Sequence, residues 1–231
     1  MDFGLFRKII DEAHRYGSRS FSLHLFGEPL LYPRIFEAIR YIKKRNPRNT
    51  VLLTTNGTLL NECVDDFISS GIDQAYWTWR SEARFGESTL LKLRKWGKFR
   101  VRFIHQITPK EAYEEWKTWN NVEGREIHNY GGEINTAKYS LEKNTKRRWP
   151  CYHLWLAPAV AWNGNFLMCC ADPHQKDVFG DIKKESVAEC WQRVEKVRRS
   201  HLRGEYNGIC KDCNVYRQYP DIFFNFQKKN K

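Results

Sequence analysis

The stretch "TVLLTTNG", residues 50–57, decides the fold class that this sequence predicts. Residues 50–55 form a short, nearly continuous run of apolar and β-branched side chains, and the Asn56-Gly57 pair ends it. Runs of this kind are typical of strands in a parallel sheet whose two faces are both covered. The stretch therefore predicts an α/β architecture.

Helical and strand-like patterns alternate on both sides of this stretch. The predicted order is a helix at 6–13, a strand at 20–26, a helix from about 33, the strand at 50–55, a helix at 61–70, a strand at 72–79, a helix at 87–96, a strand at 99–107, a helix at 109–120 and a strand at 125–130. Strict alternation of this kind indicates βαβ units and a parallel sheet. Five strands follow an initial helix, so a barrel built of such units would be missing its opening strand.

The pattern stops after residue 130, where a polar and basic stretch begins. We therefore predict an α/β domain at 1–135, a basic connector at 136–150 and a second module at 151–231. In that module, "APAVAWNGNFLMC" (157–169) predicts a hairpin with a two-residue turn at Asn163-Gly164. Ser186 and Glu189 have the spacing of a capping box at the start of a helix.

Composition limits the class of protein and its partners. The 231 residues are 41% hydrophobic and carry a net charge of +12, with an isoelectric point near 9.4, which favours an anionic partner. No apolar run approaches the roughly 18 residues of a membrane span, and the start lacks the pattern of a signal peptide. We therefore expect a soluble, cytoplasmic protein whose seven cysteines are reduced.

Four cysteines are spaced as ligands of one metal centre. Cys210 and Cys213 are separated by two residues, which lets one tight turn present two thiolates. Twelve residues separate Cys151 from Gly164 and four more separate that glycine from Cys169, so the predicted hairpin would bring the two cysteines together. Either an iron–sulfur cluster or a structural zinc ion accepts four such ligands.

The other three cysteines are predicted to have no ligand role. Cys63 and Cys190 fall within predicted helices, where a cysteine is most often a small buried hydrophobic residue. Cys170 follows Cys169 directly, and neighbouring residues on a strand point to opposite faces. Only one of the pair can easily join the site, and we predict that it is Cys169.

These features resemble a known family. The segment from Cys151 to Trp191, followed by Cys210-x-x-Cys213, resembles the SPASM or twitch-type C-terminal domain of radical SAM enzymes, and Gly180-Asp-Ile is also family-like. "LHLFGEPLLYP" (23–33) resembles the end of the second strand of the radical SAM barrel, and "LLTTNGTLL" (52–60) resembles the third strand and its loop. The resemblance covers nearly the whole chain.

The resemblance implies a fold and a cofactor site. The fold would be a partial (β/α)6 barrel without its first strand, followed by a small α+β SPASM-like domain. Gly27 and Glu28 would lie where the family holds the amino group of S-adenosylmethionine, although Phe26 stands in place of the first glycine of Gly-Gly-Glu. Thr55, Asn56 and Thr78 would be residues of the same cleft. His128 and Asn129 would lie at the end of the last strand, where a substrate-facing position and an ordinary loop position are both open.

The resemblance also implies the chemistry. Its four matching cysteines, Cys151, Cys169, Cys210 and Cys213, would hold one auxiliary 4Fe-4S cluster. The substrate would be a peptide or an anionic small molecule, and the electron donor a flavodoxin or ferredoxin. The family's radical-generating Cys-x3-Cys-x2-Cys loop is not found in these 231 residues. We therefore expect an N-terminally incomplete enzyme rather than a degenerate relative, and no cleavage of S-adenosylmethionine by the chain as given.

Two alternatives remain open from the sequence alone. A nucleic-acid-binding protein with a four-cysteine zinc site would use the positive charge and the nine tryptophans, but it leaves the predicted α/β domain without a role. A non-catalytic relative that binds a peptide would keep the fold and lose the radical chemistry.

Overall fold

A computed structural model of the chain describes residues 1–105, 107–119, 122–125, 127–128, 130, 135 and 150–213. The chain divides into two compact units, one formed by Phe6–Ile127 and the other by Met1–Leu5 together with His128–Lys231. Apart from Pro150, the predicted connector lies outside the described residues, as does Asn129. Within the described ranges, no helix is both long and apolar enough to cross a membrane.

The Phe6–Ile127 unit is built on a parallel sheet of five strands whose spatial order follows the chain order. The strands are β1 (Ser20–Ser22), β2 (Thr50–Thr55), β3 (Gln74–Thr78), β4 (Phe99–Ile104) and β5 (Val122–Arg125). The helices are α1 (Phe3–His14), α2 (Ile35–Arg45), α3 (Leu60–Ser69), α4 (Glu87–Trp96) and α5 (Lys110–Trp116), with a 3-10 turn at Pro29–Leu31. The predicted α/β class and its run of five strands are thus confirmed.

Apolar periodicity explains why these segments pack as they do. In α2, the buried residues Ile35, Ala38, Ile39 and Ile42 follow helical spacing and form one stripe. In β2, Val51 and Leu53 are fully buried, whereas Leu52 and Thr54 are half-buried. Lys43 on α2 bonds both the carboxylate of Asp73 and the carbonyl of Asn49, which ties the helix to the start of β2.

Strand β1 is shorter than predicted because a side chain takes over its pairing. The sequence predicts a strand over 20–26, but pairing with β2 covers only Ser20–Ser22. The backbone N–H of Thr54 donates to His24 Nδ1 at 3.1 Å instead of to a strand carbonyl. The ladder therefore ends before the loop that carries Gly27 and Glu28.

Strand β5 lies earlier than predicted. Val122 pairs with Val101 and Arg125 pairs with Ile104, so the strand begins three residues before the predicted start at 125. Gly124 indicates a break when the sequence is read alone. In the fold it lies inside the strand, where a Cβ would overlap the ring of His105, so the position has no room for a side chain.

The second unit contains a small antiparallel sheet and short helices. Its elements are α6 (His153–Leu156), β6 (Ala159–Val160), β7 (Asn165–Leu167), β8 (Val178–Asp181), α7 (Val187–Arg193) and α8 (Glu195–Leu202), with a 3-10 turn at Gly208–Cys210. The strand order is β6-β7-β8. Phe166, Ile182 and Cys190 are fully buried in its core. Helix α6, between Cys151 and the hairpin, was not predicted.

The structure decides two local predictions, the two-residue hairpin turn at Asn163-Gly164 and the capping box at Ser186. Ala161 donates to the carbonyl of Asn165, so the loop holds three residues rather than the predicted two. Gly164 occupies the left-handed position with φ of 95°, which suits a three-residue loop and favours glycine. The capping box is confirmed, because Ser186 and Glu189 exchange hydrogen bonds at the start of α7.

Candidate functional site

Cys169 lies at the exit of strand β7 with its side chain directed into the unit. It is 9% exposed, whereas the neighbouring Cys170 is exposed. The sulfur of Cys169 accepts the backbone N–H of Ala171 at 3.3 Å. A hydrogen bond from an N–H group to the sulfur favours the thiolate over the thiol. The thiolate is the form that binds metal.

Three other cysteines lie close enough to Cys169 to affect the pKa of its thiol. Burial raises the pKa of its thiol well above the usual value, and the nearby Cys170, Cys210 and Cys213 raise it further. The fold therefore brings Cys169 near the Cys210–Cys213 pair across some forty residues of chain. A thiolate in such a place requires a positive partner, because burying an unpaired charge is costly.

Cys210 and Cys213 are presented by a tight turn, as their spacing predicts. Cys210 ends the 3-10 turn at Gly208–Cys210 and donates its backbone N–H to the carbonyl of Asn207 at 3.1 Å. Its side chain is buried, and that of Cys213 is half-buried.

Cys151 precedes helix α6 and is held by a histidine that sequence reasoning missed. The backbone N–H of Cys151 donates to His201 Nδ1 at 3.3 Å. His201 lies on α8, is 2% exposed, and its ring meets that of Tyr206 edge-on. Since fifty residues separate the two partners, no local motif signals the contact.

The four cysteines fit an iron–sulfur cluster by their chemistry. Within the described residues, no three His, Cys, Asp or Glu side chains converge closely enough to form a metal site as they stand. The set nevertheless supplies four thiols. One of them, Cys169, is buried, accepts an amide hydrogen bond and lies within electrostatic range of Cys210 and Cys213. Thiolate ligands of this kind suit iron–sulfur clusters and zinc.

The remaining two cysteines differ from each other in burial. Cys190 is fully buried on α7, in keeping with the prediction of a core residue. For Cys63 the prediction of a buried residue is wrong, because it is only half-buried, and its thiol donates to the carbonyl of Leu59, which directly precedes α3.

A second group of predicted residues meets at the carboxyl end of the parallel sheet. Glu28 Oε1 accepts the hydroxyl of Thr55 at 2.7 Å and the backbone N–H of Leu30 at 3.0 Å. Glu28 Oε2 accepts the backbone N–H of Asn56 at 2.6 Å. The carboxylate thus joins the loop after β1 to the end of β2.

The other two predicted cleft residues lie beside this group. Gly27 precedes Glu28 in the same loop, and Thr78 is the last residue of β3, where it is buried. Because β2 and β3 are parallel neighbours, their carboxyl ends lie at the same edge of the sheet. This edge is where open α/β sheets bind ligands.

Part of the second unit matches a described protein family. Residues 151–214 match the SPASM family, described as an iron-sulfur cluster-binding domain. An uncharacterized protein of Treponema pallidum (strain Nichols) is 25% identical over 93% of this chain and 68% of its own length. A tungsten-containing aldehyde ferredoxin oxidoreductase cofactor-modifying protein of Pyrococcus furiosus is 34% identical over 34% of this chain, which is 22% of that protein.

The fold has a counterpart among solved structures. The crystal structure of BtrN in complex with AdoMet and 2-DOIA superposes with a TM-score of 0.68 and covers 93% of this chain and 80% of BtrN, at 20% sequence identity. At that identity the likeness concerns the fold. What the two proteins share is the fold of this chain, in which a parallel α/β sheet is followed by a small antiparallel module.

Fold and cysteine pattern together define a parallel α/β protein with an appended cysteine-bearing module. More particularly, that module matches the SPASM iron-sulfur cluster-binding domain over residues 151–214. The zinc-dependent nucleic-acid-binding alternative is not favoured, because the matching family binds iron–sulfur clusters.

Proposed function

We propose that the chain belongs to an enzyme that modifies a peptide or an anionic small molecule by radical chemistry, and that its SPASM domain holds one auxiliary 4Fe-4S cluster. The ligands would be Cys151, Cys169, Cys210 and Cys213. The observation that carries the proposal is the buried Cys169 thiol, which lies within electrostatic range of Cys210 and Cys213 inside the matched domain.

The residues around these thiols are suited to holding such a group. The amide of Ala171 directs an N–H at the Cys169 sulfur, and the bond from Cys151 to His201 orders the backbone at the first ligand. A cluster ligated by all four cysteines would supply one-electron transfer or structural support. The choice of Cys169 over Cys170 is supported by burial, because an exposed ligand leaves the cluster open to solvent.

Glu28 is the residue that we propose for S-adenosylmethionine. BtrN was solved with AdoMet bound, and this chain shares its fold. A carboxylate has about four acceptor positions, and the hydrogen bonds from Thr55, Leu30 and Asn56 use three of them. The position left on Oε2 is available to an amino group of the cofactor, while the bonds already made hold the carboxylate in place.

The substrate class is supported by charge and by relatives. The net charge of +12 favours an anionic substrate or an acidic peptide. BtrN was crystallised with 2-DOIA, and the Pyrococcus furiosus relative is described as cofactor-modifying, so both point to small molecules. We propose a flavodoxin or ferredoxin as the electron donor.

Metal analysis of the anaerobically purified chain tests the cluster. We expect about four iron atoms and four acid-labile sulfides per chain, and their loss in Cys210→Ala. Cys63→Ala is the matched control, since Cys63 lies in the other unit, and it should retain both. About one zinc without sulfide, or iron that persists in Cys210→Ala, would contradict the proposal.

A further inference from the structure

Two aspartates that no sequence motif singled out lie between the Cys169 loop and the Cys210 turn. Asp172 follows Cys169 by three residues and is 1% exposed. Its Oδ1 accepts the backbone N–H of Lys176 and its Oδ2 that of Asp177, each at 2.9 Å. A buried carboxylate is tolerated only when its oxygens are hydrogen-bonded, so these two bonds hold the loop at 172–177 in one conformation.

Asp177 continues the connection to the second pair of cysteines. Its Oδ2 accepts the backbone N–H of Ile209 at 3.2 Å, and Ile209 directly precedes Cys210. Gly208 has φ of 55°, and a Cβ at that position would lie 2.5 Å from Asp177 Oδ2. Any larger residue at 208 would therefore displace the carboxylate from the turn.

A chain of hydrogen bonds thus runs from the first candidate ligand loop to the second. The Cys169 sulfur accepts from Ala171, Asp172 comes next and binds the amide of Asp177, and Asp177 binds the amide before Cys210. Groups that orient metal ligands in this way strongly influence metal retention.

We propose that Asp172 and Asp177, which we call the carboxylate clasp, are positioning residues that set Cys169 and Cys210 relative to each other. The consequence for cluster retention rests on the proposed function. The clasp acts through the loops, and neither carboxylate is required to touch the cluster.

The first test uses the iron-free chain, so that it does not depend on a cluster. Dibromobimane bridges thiols that lie close together, and peptide mapping by mass spectrometry separates the Cys169–Cys210 bridge from bridges within each neighbouring pair. Asp177→Ala should slow formation of the Cys169–Cys210 bridge about tenfold, because a hydrogen bond to a charged group is lost. Asp177→Asn keeps a carbonyl oxygen for the Ile209 amide and should restore most of the rate.

Two further variants make this result specific. Gly208→Ala should slow the same bridge by displacing Asp177 without altering a carboxylate. Asp181→Ala removes a carboxylate that accepts the N–H of Lys183 in another turn of the unit, and should react at the parent rate. Circular dichroism verifies folding, and if Asp177→Ala fails to fold, Gly208→Ala decides. A parent rate of Cys169–Cys210 bridging in folded Asp177→Ala, or in Gly208→Ala where Asp177→Ala does not fold, would overturn the clasp.

A second readout uses the iron-loaded chain. Iron loss to a chelator should be about 10- to 100-fold faster in Asp177→Ala than in the parent, with Asp177→Asn close to the parent rate. A parent chain that holds no iron and sulfide would overturn the proposed function, while the bridging rates would still decide the clasp. If the parent chain binds iron and Asp177→Ala keeps the parent rates of bridging and iron loss, the clasp is overturned and the proposed function stands.

Discussion

Cys169 and Cys170 are adjacent in sequence and differ sharply in environment. Cys169 is buried and accepts an amide hydrogen bond, whereas the Cys170 side chain is exposed. We therefore expect Cys169→Ala to lose most of its iron and sulfide, while Cys170→Ala keeps the parent content. Metal analysis and the visible absorption of the cluster measure both. If Cys170→Ala were the variant that loses the cluster, the ligand assignment would be wrong.

At the same scale, spacing identifies ligands more readily than the residues that support them. The Cys-x-x-Cys pair and the distance from Gly164 to Cys169 are visible in the sequence. His201 and Asp177 are not, because each reaches a ligand loop from a distant part of the chain. A supporting hydrogen bond depends on where two segments meet, and that is a property of the fold.

Among the elements, helix α7 shows how a local signal leads to a stable boundary. Ser186 accepts the backbone N–H of Glu189, and the Glu189 carboxylate accepts the N–H and O–H of Ser186, which lowers the pKa of Glu189. Because the pKa is lowered in the folded state, the ionised carboxylate stabilises the fold at pH values above 4.5, the usual pKa of a glutamate. This contribution is lost as the pH falls through the lowered pKa.

Replacing the cap residue tests the contribution of this element. Ser186→Ala should lower the free energy of unfolding by about 1 kcal/mol, because one backbone donor at the start of α7 loses its partner. Ser200→Ala, which removes a hydroxyl from within α8, is the control and should change stability by less. Urea denaturation followed by circular dichroism measures the difference. Equal effects of the two substitutions would argue against the cap as the source.

Strands β1 and β5 show the opposite case, in which local signals fail at a boundary, although β2 has its predicted bounds of 50–55. Strand β1 ends early because His24 binds the Thr54 amide, and β5 begins early because it pairs in register with β4. Both boundaries depend on a neighbouring strand, whereas a helix makes most of its hydrogen bonds within itself. This explains why α4 and the start of α7 match their predictions while β1 and β5 do not.

For the whole molecule, the division into two units predicts an uneven response to metal removal. All four proposed ligands lie in the unit that contains His128–Lys231, and Cys63 is the only cysteine of the Phe6–Ile127 unit. Since metal binding contributes to folding free energy, chelation should raise amide hydrogen exchange over 150–213 and leave 7–119 near its original rates. Mass spectrometry of the exchanged peptides measures both regions. Equal changes in the two units would contradict this assignment.

Sequence alone was enough for the α/β class, the order of the elements in the Phe6–Ile127 unit and the cysteines that merit attention, because these depend on apolar periodicity, turn residues and spacing along the chain. Only the tertiary structure decided which side chains support the site. Glu28 is bound to the end of β2, His201 to the backbone of Cys151, and Asp177 to the turn before Cys210. Each of these contacts joins segments at least 27 residues apart. The physical reason is that a hydrogen bond between distant segments forms only after packing has brought them together, and no local pattern encodes it.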